Sequence, residues 1–118
     1  MAIFEVESWR VAEGKEKEHD VEMRRWLSWV KSHRELFPEW KSVRYFEKHV
    51  AGSESGRHLV IWEYESLAAY EAYKARRKDY TGAYAEYKLN DPYYKAVFNH
   101  DSMGIEFWKD VQRDLWIE

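Results

Sequence analysis

Twice along this chain the spacing of apolar residues changes from two to about 3.6 and back again, and that order limits the folds open to it. Residues 2 to 9 alternate, with Ile3, Phe4, Val6 and Trp9 among polar neighbours, as a first strand does. Glu13-Gly14-Lys15 breaks the alternation. From Lys15 to about Phe37 the apolar positions Met23, Trp26, Leu27 and Val30, and less regularly His33 and Phe37, share one helical face, and Pro38 stops the helix. Trp40 to Val50 reads as a second strand around Val43, Tyr45 and Phe46, and Ala51 to Gly56 has hairpin-loop chemistry. Arg57 to Glu65 is the most strand-like stretch and predicts a central strand.

Ser66 is placed to cap a second helix from Leu67 to about Tyr80, which Gly82 interrupts. A short continuation from Ala83 to Lys88 precedes Asn90-Asp91-Pro92, where helix must end. Tyr93 to Ser102 carries no clear period, and Met103 to Val111 alternates as a fourth strand. The order strand, helix, strand, strand, helix, strand predicts an α+β, ferredoxin-like βαββαβ fold, a four-stranded antiparallel sheet with two helices on one face. Residues 1–118 are enough for one such domain and too few for two.

Helices cover one side of the sheet only, yet Trp9, Trp40, Trp62 and Trp108 cannot all point to that side. The apolar residues left on the open face predict a homodimer in which two sheets meet. The tail Leu115-Trp116-Ile117 is apolar enough to dock as well, a partner subunit being one place for it.

Charge excludes other partners. Nineteen Lys and Arg against 22 Asp and Glu give a net charge of -3, so nucleic acid is not expected, and the basic run Lys74 to Lys78 reads as a solvated helix face. With no cysteine there is no disulfide, thiolate metal site or Cys nucleophile. The sequence shows no signal-peptide pattern and no long apolar run, so neither a membrane span nor export is expected and a cytoplasmic protein is. Scarce Asn, Gln and Met beside abundant Glu, Lys, Arg, Tyr and Trp lean toward a thermostable protein melting above about 65 °C.

The segment Val11-Ala12-Glu13-Gly14-Lys15-Glu16-Lys17-Glu18 resembles the passage from first strand to first helix in the dimeric α/β-barrel superfamily. The run Val60-Ile61-Trp62-Glu63-Tyr64-Glu65-Ser66-Leu67-Ala68-Ala69-Tyr70 is similar to the junction of third strand and second helix in its antibiotic-biosynthesis-monooxygenase-like and NIPSNAP-like members. This resemblance implies a dimeric α/β barrel with a small-molecule pocket between each sheet and its two helices. Superfamily members include cofactor-free oxygenases acting on polycyclic phenols, haem-degrading and haem-using enzymes, and isomerases. The haem-degrading branch carries a Trp and a His on the second helix, whereas Leu67 to Tyr80 holds neither, so that activity is not expected.

Candidate site residues follow from the strands. If the hairpin turn centres on Ser53-Glu54, His49 and His58 stand opposite each other with Cβ atoms about 5 Å apart, able to share a proton or a metal. The alternative is two exposed histidines at a loop end. No HExxH and no carboxylate at ligand spacing accompanies them, so no metal and no cofactor is expected. In that register His49, Glu47, Tyr45 and Val43 share a face with His58, Val60, Trp62 and Tyr64, a mixed aromatic and titratable surface suited to a flat apolar ligand. Arg44, Tyr45, Trp62, Tyr64 and Tyr70 are the candidate substrate-binding residues, and His49, His58 and Glu5 the candidate catalytic ones. A half-buried Glu5 has the chemistry of a general base, although Glu5 or Glu63 paired with Arg44 across a dimer would be purely structural.

Eight of the nine tyrosines lie between Tyr64 and Tyr94, as a packing stripe or as a pocket wall. There is no Gly-rich phosphate loop and no GxSxG. Whether the chain is an enzyme stays open at this point. The expectation is a small-molecule-binding protein carrying out cofactor-independent oxygenation or isomerisation of an aromatic or apolar substrate; the alternative is a non-catalytic binding or assembly protein with a structural homodimer interface. An enzyme keeps a titratable group in an open cavity, while an assembly module fills that volume with side chains.

Overall fold

A computed structural model describes residues 1–117. In chain order it contains β1 (Ile3–Val11), α1 (Glu16–Ser32), β2 (Ser42–Glu47), β3 (His58–Tyr64), α2 (Leu67–Arg76), α3 (Ala83–Asn90) and β4 (Phe98–Lys109). The strands form one antiparallel four-stranded sheet in the order β2-β3-β1-β4. This is the ferredoxin-like α+β arrangement, with the second helical segment split in two.

The pleat decides which residues meet the helices. Along β1, Glu5, Glu7 and Trp9 lie opposite Trp62, Val60 and His58 of β3, and this side of the sheet joins Met23, Trp26 and Val30 of α1 and Tyr73, Tyr84 and Tyr87 of α2 and α3 in one core. The other side carries Phe4, Val6, Leu59 and Ile61 in register, with Phe46 and Trp108 about half exposed. Of the four tryptophans that could not all face one way, only Trp108 lies on this open side; Trp9, Trp40 and Trp62 are buried in the helix-side core.

Three local features depart from the sequence pattern, each for a physical reason. The expected fourth strand starts five residues early, at Phe98, because a bulge interrupts its pairing with β1 between Ser8 and Arg10. The three extra residues of β4 at this point, an odd number, switch the alternation from even positions, where Phe98 is buried, to the odd positions Met103 and Ile105, so no single period runs through the segment. The second helix ends at Arg76 rather than near Tyr80, because Tyr80 takes a left-handed φ of 48° and Gly82 follows at φ 59°, ψ −133°, a region that residues with a Cβ avoid.

The third feature is the hairpin register. Glu47, and not His49, stands opposite His58, a shift of two residues from the expected pairing. The loop is not a tight turn on Ser53-Glu54: Gly52–Glu54 forms a 3-10 turn, pinned where Arg10 donates to the carbonyl oxygens of Ser53 and Ser55. An even shift leaves every side chain on its expected face, so the face predicted for Tyr45 and His58 survives while the His49–His58 pair does not.

The C-terminal tail folds back on its own sheet. Arg113 pairs with Glu63 at 3.6 Å and lies over the Trp116 ring, whose centroid is 6.4 Å from that of Phe4 on the open face.

Candidate functional site

Between the sheet and the helices lies a cavity of about 370 Å³, within the usual range for small-molecule sites. Its floor is Glu5, Glu7, Val60 and Trp62; Lys74 and Arg77 of the α2 end, Tyr80, Asp91, Tyr93 and Tyr94 form the opposite wall, and Met103 and Ile105 of β4 close one side. Each position follows from an element already described. Period-two alternation puts Glu5 and Glu7 on one face of β1, and the left-handed turn at Tyr80 brings its ring back over the end of α2.

Five charged groups line this space, three of them acidic. Glu5 is held on both oxygens: Lys74 Nζ lies 3.9 Å from Oε2, and the Tyr64 hydroxyl donates to Oε1 at 3.4 Å. Tyr64 in turn accepts from Trp40 Nε1 at 3.0 Å, which anchors the phenol in the core. Burial nevertheless raises the Glu5 pKa, with Lys74 and Arg77 opposing. Asp91 accepts from the backbone N–H of Tyr93 and is raised by burial as well. Lys74 is lowered by burial, with the Glu5 charge working against that.

Glu7 differs from both other acids. It takes part in no hydrogen bond or ion pair among the described residues, and burial, then the neighbouring charge of Glu5, pushes its pKa up to about 7. Two donors that line the cavity also lack partners there: buried Trp62 Nε1 and Arg77 Nε. Buried donors without partners are rare, because each costs roughly 1–3 kcal/mol. A carboxylate poised near neutrality in an aromatic-walled space can take a proton from a ligand. No three His, Cys, Asp or Glu side chains converge to hold a metal ion among the described residues.

A second polar cluster sits two residues further along β1 and is filled. The Trp9 indole N–H donates to His19 Nε2 at 2.9 Å, Tyr45 Oη lies 2.6 Å from His58 Nδ1, and the two imidazole centroids are 4.7 Å apart. Phe98 stacks on Trp9 at 4.2 Å between centroids. Burial, then the neighbouring His58, pushes the His19 pKa down to about 4, and burial lowers His58 too. Both rings are thereby kept neutral.

The residues singled out from the sequence divide between these places. Glu5, Trp62 and Tyr64 line the cavity, and Tyr70 packs edge-on behind it against Tyr64 at 5.3 Å and Phe107 at 5.0 Å. Tyr45 and His58 belong to the filled cluster. His49 lies past the end of β2, exposed, and Arg44 is exposed on β2 with its neighbours on the open face, so neither reaches the cavity. Within the chain Glu5 pairs with Lys74 and Glu63 with Arg113.

Sequence reasoning did not single out Glu7, Lys74, Arg77, Asp91 or His19. His19 was within reach of the helical period, four residues before Met23 on the buried stripe. Glu7 was within reach of the strand period, two residues after Glu5. Nothing local marks Arg77 or Asp91, which meet the sheet only through the turns around α3.

No family model matches this chain, and no curated protein matches it. Among solved structures it resembles a NIPSNAP family protein from Agrobacterium tumefaciens C58, with a TM-score of 0.68 at 14% identity and 96% of each chain covered. An uncharacterised NIPSNAP domain protein from Burkholderia xenovorans gives 0.64 at 12% identity, covering 94% of this chain and 96% of that one. A "putative antibiotic biosynthesis monooxygenase" from Caulobacter crescentus CB15 gives 0.61 at 17% identity, covering 94% and 91%. The chain therefore shares the ferredoxin-like fold of NIPSNAP and antibiotic-biosynthesis-monooxygenase-like proteins, as its two local motifs suggested. At these identities a shared fold carries no activity with it.

Proposed function

We propose that this protein binds an uncharged aromatic or enolisable molecule in the cavity over β1 and removes a proton from it, with Glu7 as the base. The observation that carries this reading is the Glu7 carboxylate, with a pKa near 7 and no hydrogen-bond or ion-pair partner among the described residues, in a cavity that Trp62 and Arg77, each with an unpartnered N–H, also line. A base works best near the ambient pH, and a desolvated donor pair stabilises a developing anion more than water does. Glu7 takes the proton from an O–H or acidic C–H bond, the electron pair stays on the ligand as a phenolate or enolate, and Trp62 and Arg77 donate to its oxygen. Returning the proton to a different ligand atom is an isomerisation, whereas capture of the carbanion by dioxygen is an oxygenation. The proton transfer is common to both.

The test is a titration with a neutral polycyclic phenol such as 2-naphthol near pH 7.5, reading Trp fluorescence and phenolate absorption together. Quenching with a phenolate band in the wild type, and quenching without that band in Glu7→Gln, are the expected results. Absence of any quenching would remove the ligand site, and an undiminished phenolate band in Glu7→Gln would remove Glu7 as the base.

The working unit we propose is a homodimer joined through the open face of the sheet, where Phe46 and Trp108 are about half exposed beside Ile61. Sedimentation at falling concentration tests it, and a monomer at every concentration overturns it.

A further inference from the structure

Two carboxylates point from adjacent outward positions of β1 into one cavity, about 7 Å apart along the strand, yet their surroundings differ. Lys74 is a long, flexible cation on the facing helix, and its charge acts on both acids. Its ammonium group lies 3.9 Å from Glu5 and makes no ion pair with Glu7 among the described residues. The Tyr64 hydroxyl is committed in the same direction, with Trp40 behind it fixing the phenol. The Lys74 ammonium and the Tyr64 phenol are thus both directed to Glu5.

We propose, on the basis of the proton-abstraction reading above, that Glu5 is a positioning residue for Glu7: it holds Lys74 and Tyr64 to itself and so leaves the Glu7 oxygens free for a ligand. Without Glu5, Lys74 would swing to Glu7 and form an ion pair, and a ligand proton would then have to compete with an ammonium group. Glu5 also places a fixed negative charge beside Glu7, which makes that carboxylate a better proton acceptor. The remaining groups facing Glu7 are Arg77 from α2, which favours its charged form, and Asp91 from the α3 end, which opposes it; Val60 of β3 and Ile105 of β4, its cross-strand neighbours, carry no charge. The Glu5 side chain thus acts through its neighbours and need not touch the ligand.

The experiment is a pH titration of the side-chain carboxyls of the full chain by carbon-detected NMR, with the Glu7 resonance assigned by its absence in Glu7→Gln. In Glu5→Gln two changes act in the same direction, loss of a like charge and release of Lys74, so the Glu7 midpoint should fall by roughly one to two pH units. An unmoved midpoint would overturn the proposal, since burial alone would then set the behaviour of Glu7. Lys74→Met provides an independent check if Glu5→Gln fails to fold, because Lys74 is partly exposed. In that variant the Glu5 midpoint should rise more than that of Glu7, and the reverse order would show that Lys74 serves Glu7 directly. No ligand enters this measurement: a positive result with no naphthol binding leaves the positioning intact and removes the function proposed for the pocket.

Discussion

Along the helix-facing side of β1, Trp9 and Glu7 are two residues apart and are solved in opposite ways. At Trp9 the side chains pair within the chain: the indole N–H meets the His19 ring, His58 meets Tyr45, and Phe98 stacks on Trp9. At Glu7 the carboxylate is left alone, the adjacent donors of Trp62 and Arg77 are unpaired, and a cavity of about 370 Å³ replaces packing. The first end contributes stability. The second gives it up, since a half-buried carboxylate and buried donors without partners among the described residues cost free energy.

Truncating the filled end should produce the largest effect. Trp9→Ala removes a buried indole and leaves the His19 acceptor facing a void, so a loss of about 3–5 kcal/mol in denaturant unfolding is expected. A loss under about 1 kcal/mol would mean the end is not packed as described.

The hollow end should respond in the opposite sense. Glu7 has a folded pKa of about 7 against 4.5 in the unfolded chain, so between these values the native state binds the extra proton and stability falls as pH rises. Glu7→Gln should therefore match the wild type near pH 4.5 and exceed it by up to about 3 kcal/mol at pH 8. A destabilised Glu7→Gln at pH 8 would show that the carboxylate has an internal partner after all.

His19 gives the filled end its own pH signature. Its folded pKa of about 4 lies below the unfolded 6.5, so the unfolded state binds more protons between these values, and stability is lost as pH falls from 6.5 toward 4. The ceiling is about 3 kcal/mol. The two windows overlap with opposite signs, so unfolding is best followed in Glu7→Gln, which removes the Glu7 contribution and keeps that of His19, and in His19→Gln, which does the reverse. If both variants keep the wild-type pH profile, neither group governs it.

The smallest effects belong to residues outside both ends. Arg44→Ala and His49→Ala should change neither naphthol binding nor stability by more than about 0.5 kcal/mol, because both side chains are exposed. A clear loss of binding in either would bring the sheet edge back into the site.

Period and punctuation made much of the fold legible. Every strand and helix was recognisable where one period ran without interruption: β1 from its alternation, α1 from Met23, Trp26 and Val30, and α2 from its Ser66 cap, whose hydroxyl accepts the Ala69 N–H. The first half of β4 was hidden because a bulge changes the phase inside the strand. Alternation grouped Trp62 and Tyr64 with Tyr45 and His58 on one face, but which face meets the helices was not legible, since both faces of β2 and β3 carry apolar residues. The His49–His58 pair required knowing where the hairpin turns, which is set by Arg10 reaching across from another strand. Alternation placed Glu7 on the same face as Glu5, but its lack of partners depends on Lys74, 67 residues away from it in sequence, choosing Glu5.

The sequence by itself determined the element order, the antiparallel sheet with helices on one side, and which residues of a strand share a face, though not which face meets the helices, because these depend on backbone periods of two and 3.6 that act over a few residues. Tertiary structure alone decided which polar groups are satisfied. Whether a buried carboxylate or indole finds a partner depends on side chains brought together from distant positions, and one cation shared between two acids can satisfy only one of them.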